Sequence, residues 1–185
     1  MEQITRRSFL RSAARLAVGG VALSFAAHVG AHAAASPASR RLAFSHTHTG
    51  ERISLVYAVG DHYVPAALAA LNRFLRDHYS GAVGLIDPLL FDQLHHLQRE
   101  LGRADPFHVI SGYRCAATNH RLRTARGGGV ARRSLHMDGK AIDVRLPGVS
   151  LAELRDAAVQ LKLGGVGHYP GGQFVHLDTG RVRHW

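Results

Sequence analysis

Two kinds of apolar periodicity divide this chain, and their order limits the folds open to it. Between Val64 and Tyr79 the apolar residues Leu68, Leu71, Phe74 and Leu75 recur at helical spacing, and Ser80-Gly81 ends the run. Asp87-Pro88 opens a second helix, with Asp87 as N-cap and Pro88 at the first helical position, where its missing N–H costs nothing. The apolar face of this helix is Leu90, Phe91, Leu94, Leu97 and Leu101, and Gly102 ends it. Elsewhere the pattern is that of short strands. Leu42–Ser45 and Ile53–Tyr57 flank Thr49-Gly50-Glu51 as a hairpin. Phe107–Ile110 reads as a buried strand, Ala141–Leu146 alternates, Phe174–Asp178 is a further strand and Arg181–Trp185 a last one. Ser150 caps a third helix, Leu151–Leu161, with Glu153 placed as in a capping box. Gly164–Gly167 reads as a tight passage, and the Gly- and Arg-rich residues 124–133 as a mobile loop. Helices early and short strands later predict an α+β domain, with helices packed on a mostly antiparallel sheet.

The first 35 residues stand apart from this pattern. Thr5-Arg6-Arg7-Ser8-Phe9-Leu10-Arg11 is a twin-arginine pattern, an Ala-rich apolar stretch follows from Leu16 to Ala31, and Ala31-His32-Ala33 or Ala33-Ala34-Ala35 offers a cleavage site. A basic head, a short apolar middle and small residues at the end make an export signal. The apolar run is shorter than the ~20 residues of a spanning helix and contains Gly and Ser, so a cleaved signal is expected rather than a retained anchor. The expected organisation is therefore a twin-arginine export signal over 1–35 and one domain over 36–185, delivered to the periplasm with no stable membrane span after cleavage.

The formal net charge is +10, and the signal's four arginines and one glutamate leave about +7 for the rest. A basic exported domain suits an anionic partner such as cell wall or membrane surface. Nucleic acid is a poor partner for it, and no basic run interleaved with aromatics is present. The single cysteine, Cys115, forbids an internal disulfide and reads as a small buried thiol.

Fourteen histidines make any one of them weak as a signal. Context singles out three positions: His136 in Ser134-Leu135-His136-Met137-Asp138-Gly139, Asp143 seven residues later inside a strand, and His176 in Phe174-Val175-His176-Leu177-Asp178. Strand side chains alternate faces, so Asp143 faces away from the core-bound Ile142 and Val144, and His176 and Asp178 share a face. If the two strands are neighbours, Asp143 and His176 converge, and Gly139 permits the turn that returns His136 to them. Two imidazoles and a carboxylate form a zinc set whose fourth position stays open, the mark of a catalytic rather than a structural site. The spacing alone leaves open a scatter of surface histidines around a structural Asp.

Three stretches carry a resemblance: Ser111-Gly112-Tyr113-Arg114, then Ser134-x-His136-x-x-Gly139-x-Ala141-x-Asp143, then Val175-His176-x-Asp178. Together they resemble the D-alanyl-D-alanine carboxypeptidase and murein endopeptidase superfamily of zinc peptidases. The ending Gly167-x-Tyr169-Pro170, Phe174-Val175-His176-x-Asp178-x-Gly180-x-x-Arg183-x-Trp185 is similar to its YcbK-like branch. The resemblance spans about residues 42–185. It implies one Zn²⁺ held by His136, Asp143 and His176, with Arg114 near the substrate carbonyl as oxyanion stabiliser. One departure stands out. Many relatives carry a general-base Glu three residues before the last His, and here that position is Gln173. Asp178 is the expected replacement base and His168 the runner-up, while Asp178 also reads as a carboxylate that orients a ligand His.

The implied activity is a zinc-dependent peptidoglycan endopeptidase that hydrolyses stem-peptide cross-links with a metal-activated water. The alternatives are a D-alanyl-D-alanine carboxypeptidase and a non-catalytic, metal-bearing wall-binding module, which Gln173 favours. Arg126, Arg132 and Arg133 in the Gly/Arg-rich loop are candidates for stem-peptide carboxylates.

Overall fold

Two of the expected helix N-termini are built from the residues that signal them. Asp87 accepts the Leu89 N–H, and Pro88 starts the helix Pro88–Glu100 (α2). Ser150 accepts the Glu153 N–H at the head of Leu151–Leu161 (α4). The first helix, Pro65–Phe74 (α1), starts where expected but ends early. The Leu75 carbonyl accepts the Tyr113 N–H, and the Asp77 carboxylate accepts the N–H groups of Tyr79 and Cys115. Side-chain capture of the backbone thus replaces the last helical turns and ties this segment to residues 113–115. A fourth helix, Ala116–Thr124 (α3), was not expected. Its buried positions are polar, Thr118 and Asn119, so it lacks the apolar stripe by which helices are recognised.

The computed structural model describes residues 38–125 and 130–185, so the twin-arginine segment lies outside the described residues. Among the described residues the strands are Ser39–His46 (β1), Arg52–Val59 (β2), His62–Tyr63 (β3), Phe107–Ser111 (β4), Ala141–Arg145 (β5), Gly165–Tyr169 (β6), Phe174–Asp178 (β7) and Arg183–His184 (β8). They form one sheet in the order β3-β2-β1-β4-β5-β7-β6-β8. Two junctions, β1 with β4 and β6 with β8, are parallel and the rest antiparallel, so the domain is α+β on a mostly antiparallel sheet.

The core lies on one face. Leu42, Phe44, Val109, Ile142, Val144, Val175 and Leu177 from the strands meet Leu71 of α1, Leu90, Phe91, Leu94 and Leu97 of α2, and Leu154 of α4, all buried. In the centre of the sheet the opposite face carries the polar residues. The Asp143 position pairs with His176, and His176 with Gly167, so these three project together away from the core. A register shift between Val109 and Ser111 turns Ser111 to that same face, opposite Asp143.

The tight passage expected at Gly164–Gly167 is instead the strand β6. Two of its glycines occupy the polar face, where other groups fill the space a side chain needs. A Cβ on Gly167 meets the rings of both Trp185 and Tyr169 at 2.8 Å. The glycines here admit side chains from elsewhere rather than a turn. No helix among the described residues is long and apolar enough to cross a membrane.

Candidate metal centre

Each of the three candidate ligands is brought in by a different local device. Asp143 and His176 are direct cross-strand partners on β5 and β7. His136 lies in the 3₁₀ turn Leu135–Asp138, which closes on Gly139 at φ 66°. That conformation suits glycine, and a Cβ there collides with the Leu85 carbonyl oxygen. The Lys140 N–H bonds back to Leu135 and the Arg114 N–H to His136, which fixes the turn against the end of β4.

The three side chains converge on one point. His136 Nε2 stands 3.2 Å from Asp143 Oδ1 and 3.3 Å from His176 Nδ1, and His176 Nδ1 stands 2.8 Å from Asp143 Oδ1. The remaining ring nitrogens are engaged on the far side. His136 Nδ1 donates to the Gly112 carbonyl at 2.7 Å, and His176 Nε2 donates to Asp178 Oδ2 at 3.1 Å. In the neutral rings these bonds take the hydrogens to the far side, so that His136 Nε2 and His176 Nδ1 turn their lone pairs toward the Asp143 carboxylate. Three acceptors so close together need a cation among them. Ligands at ~2.05 Å around a tetrahedral zinc are roughly 3.3 Å apart, close to the separations here. The donor set, the mutual distances and the outer hydrogen bonds all fit zinc.

The electrostatics agree. Burial draws His176 toward its neutral form, but the bonds and charges of Asp143 and Asp178 outweigh it and lift the ring to about 9. Burial likewise opposes the charge on Asp143, yet His136 and His176 hold its carboxyl well below the usual carboxylate range. A metal ion at this point would take the place of the proton that His176 otherwise keeps.

Arg114 is nearly buried beside the cluster. Its guanidinium donates to Ser111 Oγ at 3.2 Å and lies 3.8 Å from Asp143 Oδ2. Asp178, by contrast, is fully buried. It accepts hydrogen bonds from His176, from the N–H groups of Gly165 and Gly180, and from both terminal nitrogens of Arg183. Burial alone favours the neutral acid, but the partners, His176 first and then Arg183, hold the carboxyl well below its usual range. Both oxygens of Asp178 are thus engaged on the far side of His176 from Asp143. The register also places His168. It pairs with Val175, whose side chain enters the core, so it lies on the opposite face from His176. Gln173 is not among the residues that line the cleft over the cluster, and its side-chain oxygen accepts from Arg145 at 3.4 Å. Cys115 is half-exposed rather than buried, bonded to Thr118 and Ser80.

A cleft of about 300 Å³ opens over the cluster. His136, Asp143, His176 and Arg114 form its floor, Val130–Leu135 without Arg132 one flank, and Tyr169, Phe174, Arg183 and Trp185 the other. Asn119 of α3 holds the first flank by donating to the Ala131 carbonyl at 3.1 Å. On the second flank Tyr169 stacks on Phe174 with ring centroids 4.8 Å apart, and the Trp185 ring lies 5.4 Å from His176. This aromatic flank was not singled out from the sequence by its chemistry, although its residues stand within the C-terminal stretch that carries the resemblance.

A family described as peptidoglycan L,D-endopeptidase MepK matches residues 34–185. The chain belongs to this family. It is 46% identical over 172 residues to the peptidoglycan L,D-endopeptidase MepK of Escherichia coli (strain K12), covering 92% of this chain and 94% of the relative. The Shigella flexneri protein of the same name matches equally. A probable peptidoglycan L,D-endopeptidase MepK of Haemophilus influenzae is 40% identical over 173 residues, 92% of each chain. The expected branch of the murein peptidase superfamily is thus the one to which the chain belongs, and MepK relatives align with nearly all of it.

Proposed function

We propose that this chain is a zinc-dependent peptidoglycan endopeptidase that hydrolyses L,D cross-links between stem peptides in the periplasm. The observation that carries the reading is the convergence of His136 Nε2, Asp143 Oδ1 and His176 Nδ1, within 3.3 Å of one another on the floor of an open cleft. The names of the MepK relatives support the substrate, and the basic charge of the chain suits an anionic wall polymer.

His136, Asp143 and His176 hold the ion in this reading. Zinc there supplies a Lewis acid that polarises the scissile carbonyl and makes water nucleophilic near neutral pH. Arg114, fixed by Ser111 and facing the cleft, donates to the oxygen on which negative charge develops. Asp178 keeps His176 in the tautomer that frees Nδ1, and Arg183 and two backbone N–H groups keep Asp178 in place. Arg133 on the first flank meets a carboxylate of the stem peptide. Arg6-Arg7 and the Ala-rich run direct export by the twin-arginine route.

Metal titration tests this reading. Metal-free protein takes up one zinc per chain, and His136→Ala and His176→Ala each lose tight binding, because two protein ligands hold zinc poorly. Wild-type protein that takes up no zinc, or either variant binding it as tightly as wild type, contradicts the assignment.

A further inference from the structure

Hydrolysis of an amide needs a proton on the departing nitrogen, and the usual carboxylate for that work is missing here. Gln173 stands in its place, Asp178 is sealed off behind His176, and His168 is on the other face of the sheet. Apart from the candidate ligands, the side chains with transferable hydrogens among the described residues of the cleft are Arg114, Arg133, Arg183, Ser134 and Tyr169. Arginines do not give up their protons in proteins. Of the two hydroxyls, a phenol is by far the stronger acid.

Resting on the peptidase reading above, we propose that the Tyr169 hydroxyl is the proton donor to the leaving amine, held in that role by the Trp185 indole. Three observations support this. First, Trp185 Nε1–H donates to the Tyr169 oxygen at 2.8 Å. That bond occupies a lone pair and turns the phenolic hydrogen away from the indole, and no described residue accepts it. The same indole N–H stabilises the phenolate formed when the proton leaves. Second, the pair is held by its neighbours. Tyr169 stacks on Phe174, and Trp185 is pinned by backbone bonds to Val166 and His168. Both rings lie over Gly167, the cross-strand partner of His176. Third, the sheet order β4-β5-β7-β6 puts Arg114, just beyond β4, and Tyr169, at the end of β6, on opposite sides of the ligands on β5 and β7. A scissile amide lying across the cleft has its oxygen toward Arg114 and its nitrogen toward Tyr169.

The step balances. Oxygen of water bonds to the carbonyl carbon, the C–N bond breaks, and its electron pair goes to nitrogen. Nitrogen takes the phenolic hydrogen, and the proton released by the attacking water restores the phenol. The products are a carboxylic acid and an amine, with one water consumed.

The test uses zinc-loaded protein and two matched substrates, a cross-linked peptide dimer and its depsipeptide analogue with an ester at the scissile bond. An alkoxide leaves without the protonation that an amine requires. Tyr169→Phe keeps the ring, so zinc content and melting temperature stay at wild-type values. Its kcat on the amide falls by about 10²–10⁴, while kcat on the ester falls less than about tenfold. Trp185→Phe keeps a ring and removes the indole donor, giving the same amide-selective loss in smaller measure. Equal losses on amide and ester, or undiminished amide turnover in Tyr169→Phe, overturn the assignment. If Tyr169→Phe does not hold zinc, the amide-to-ester ratio of Trp185→Phe decides in the same way. Wild-type protein that cleaves neither substrate sinks the peptidase reading itself, a result distinct from either outcome for the variants.

Discussion

Replacing Asp178 by Asn tests whether this residue moves protons or holds a ligand. In the wild type, Oδ1 accepts from the Gly165 and Gly180 N–H groups and from Arg183, while Oδ2 accepts from His176 Nε2 and from the second Arg183 nitrogen. An asparagine that keeps its oxygen at the Oδ1 position sets an NH₂ group against two donors, His176 Nε2–H and Arg183. Flipped, it confronts two backbone N–H groups instead. Either way the ion pair between the buried Asp178 carboxylate and the partly exposed Arg183 guanidinium is broken, and at least one donor loses its acceptor. Breaking a buried pair from one side costs about 3–5 kcal/mol, which for a domain of this size lowers the melting temperature by roughly 6–20 °C. His176 also loses the bond that fixes its tautomer, so zinc affinity falls about 10–100-fold. The assay is a zinc competition titration against a chromophoric chelator, paired with thermal unfolding of the metal-free protein. A base that merely shuttles protons gives the reverse pattern, with turnover lost while zinc affinity and melting temperature hold. That pattern refutes the orienting role argued from the contacts.

Three further outcomes follow from the same structure. Arg114→Met retains zinc but loses about 10²–10³ in kcat, measured on a cross-linked peptide dimer; unchanged kcat removes the oxyanion role. His46 is buried at the end of β1 with Nε2 unpartnered, and burial, reinforced by His78 and His48, lowers its pKa to about 4. The folded state thus refuses a proton that the unfolded chain takes. Stability contributed above pH 6.5 is lost as pH falls toward 4, by about 3 kcal/mol in total, and His46→Phe flattens that slope in urea unfolding. Lysines in place of Arg6 and Arg7 leave the precursor in the cytoplasm on cell fractionation, and normal delivery of that variant removes the twin-arginine proposal.

The sequence made the site more legible than the fold around it. Asp143 lies between Ile142 and Val144, and alternation alone says that it faces opposite to them. His176 is readable by the same rule, and Gly139 marks the turn that returns His136. What the sequence does not carry is strand adjacency. Asp143 meets His176 only because β7 pairs with β5, a contact between residues far apart in the chain. The two doubtful residues illustrate the limit. Period-two alternation puts Asp178 on the His176 face but says nothing of the Arg183 guanidinium that closes over it. A turn at Gly164–Gly167 leaves the face of His168 undefined, whereas the strand found there fixes it on the far face. Helix α3 lacks an apolar signature because its inward positions are Thr118, bonded to Cys115, and Asn119, which grips the neighbouring loop. The early end of α1 has a similar origin, because Asp77 bonds to backbone from a segment that local periodicity does not see.

The central claim is that the His136, Asp143 and His176 cluster cuts peptide cross-links. Mass spectrometry of purified peptidoglycan fragments after digestion tests it most directly, comparing zinc-loaded protein, the same protein after chelation, and His136→Ala. With zinc-loaded protein, L,D-linked dimers give two monomers whose combined mass exceeds the dimer by one water, while the chelated and variant samples leave the dimers intact. Dimers that survive the zinc-loaded protein, or that are cut equally well after chelation, contradict the account.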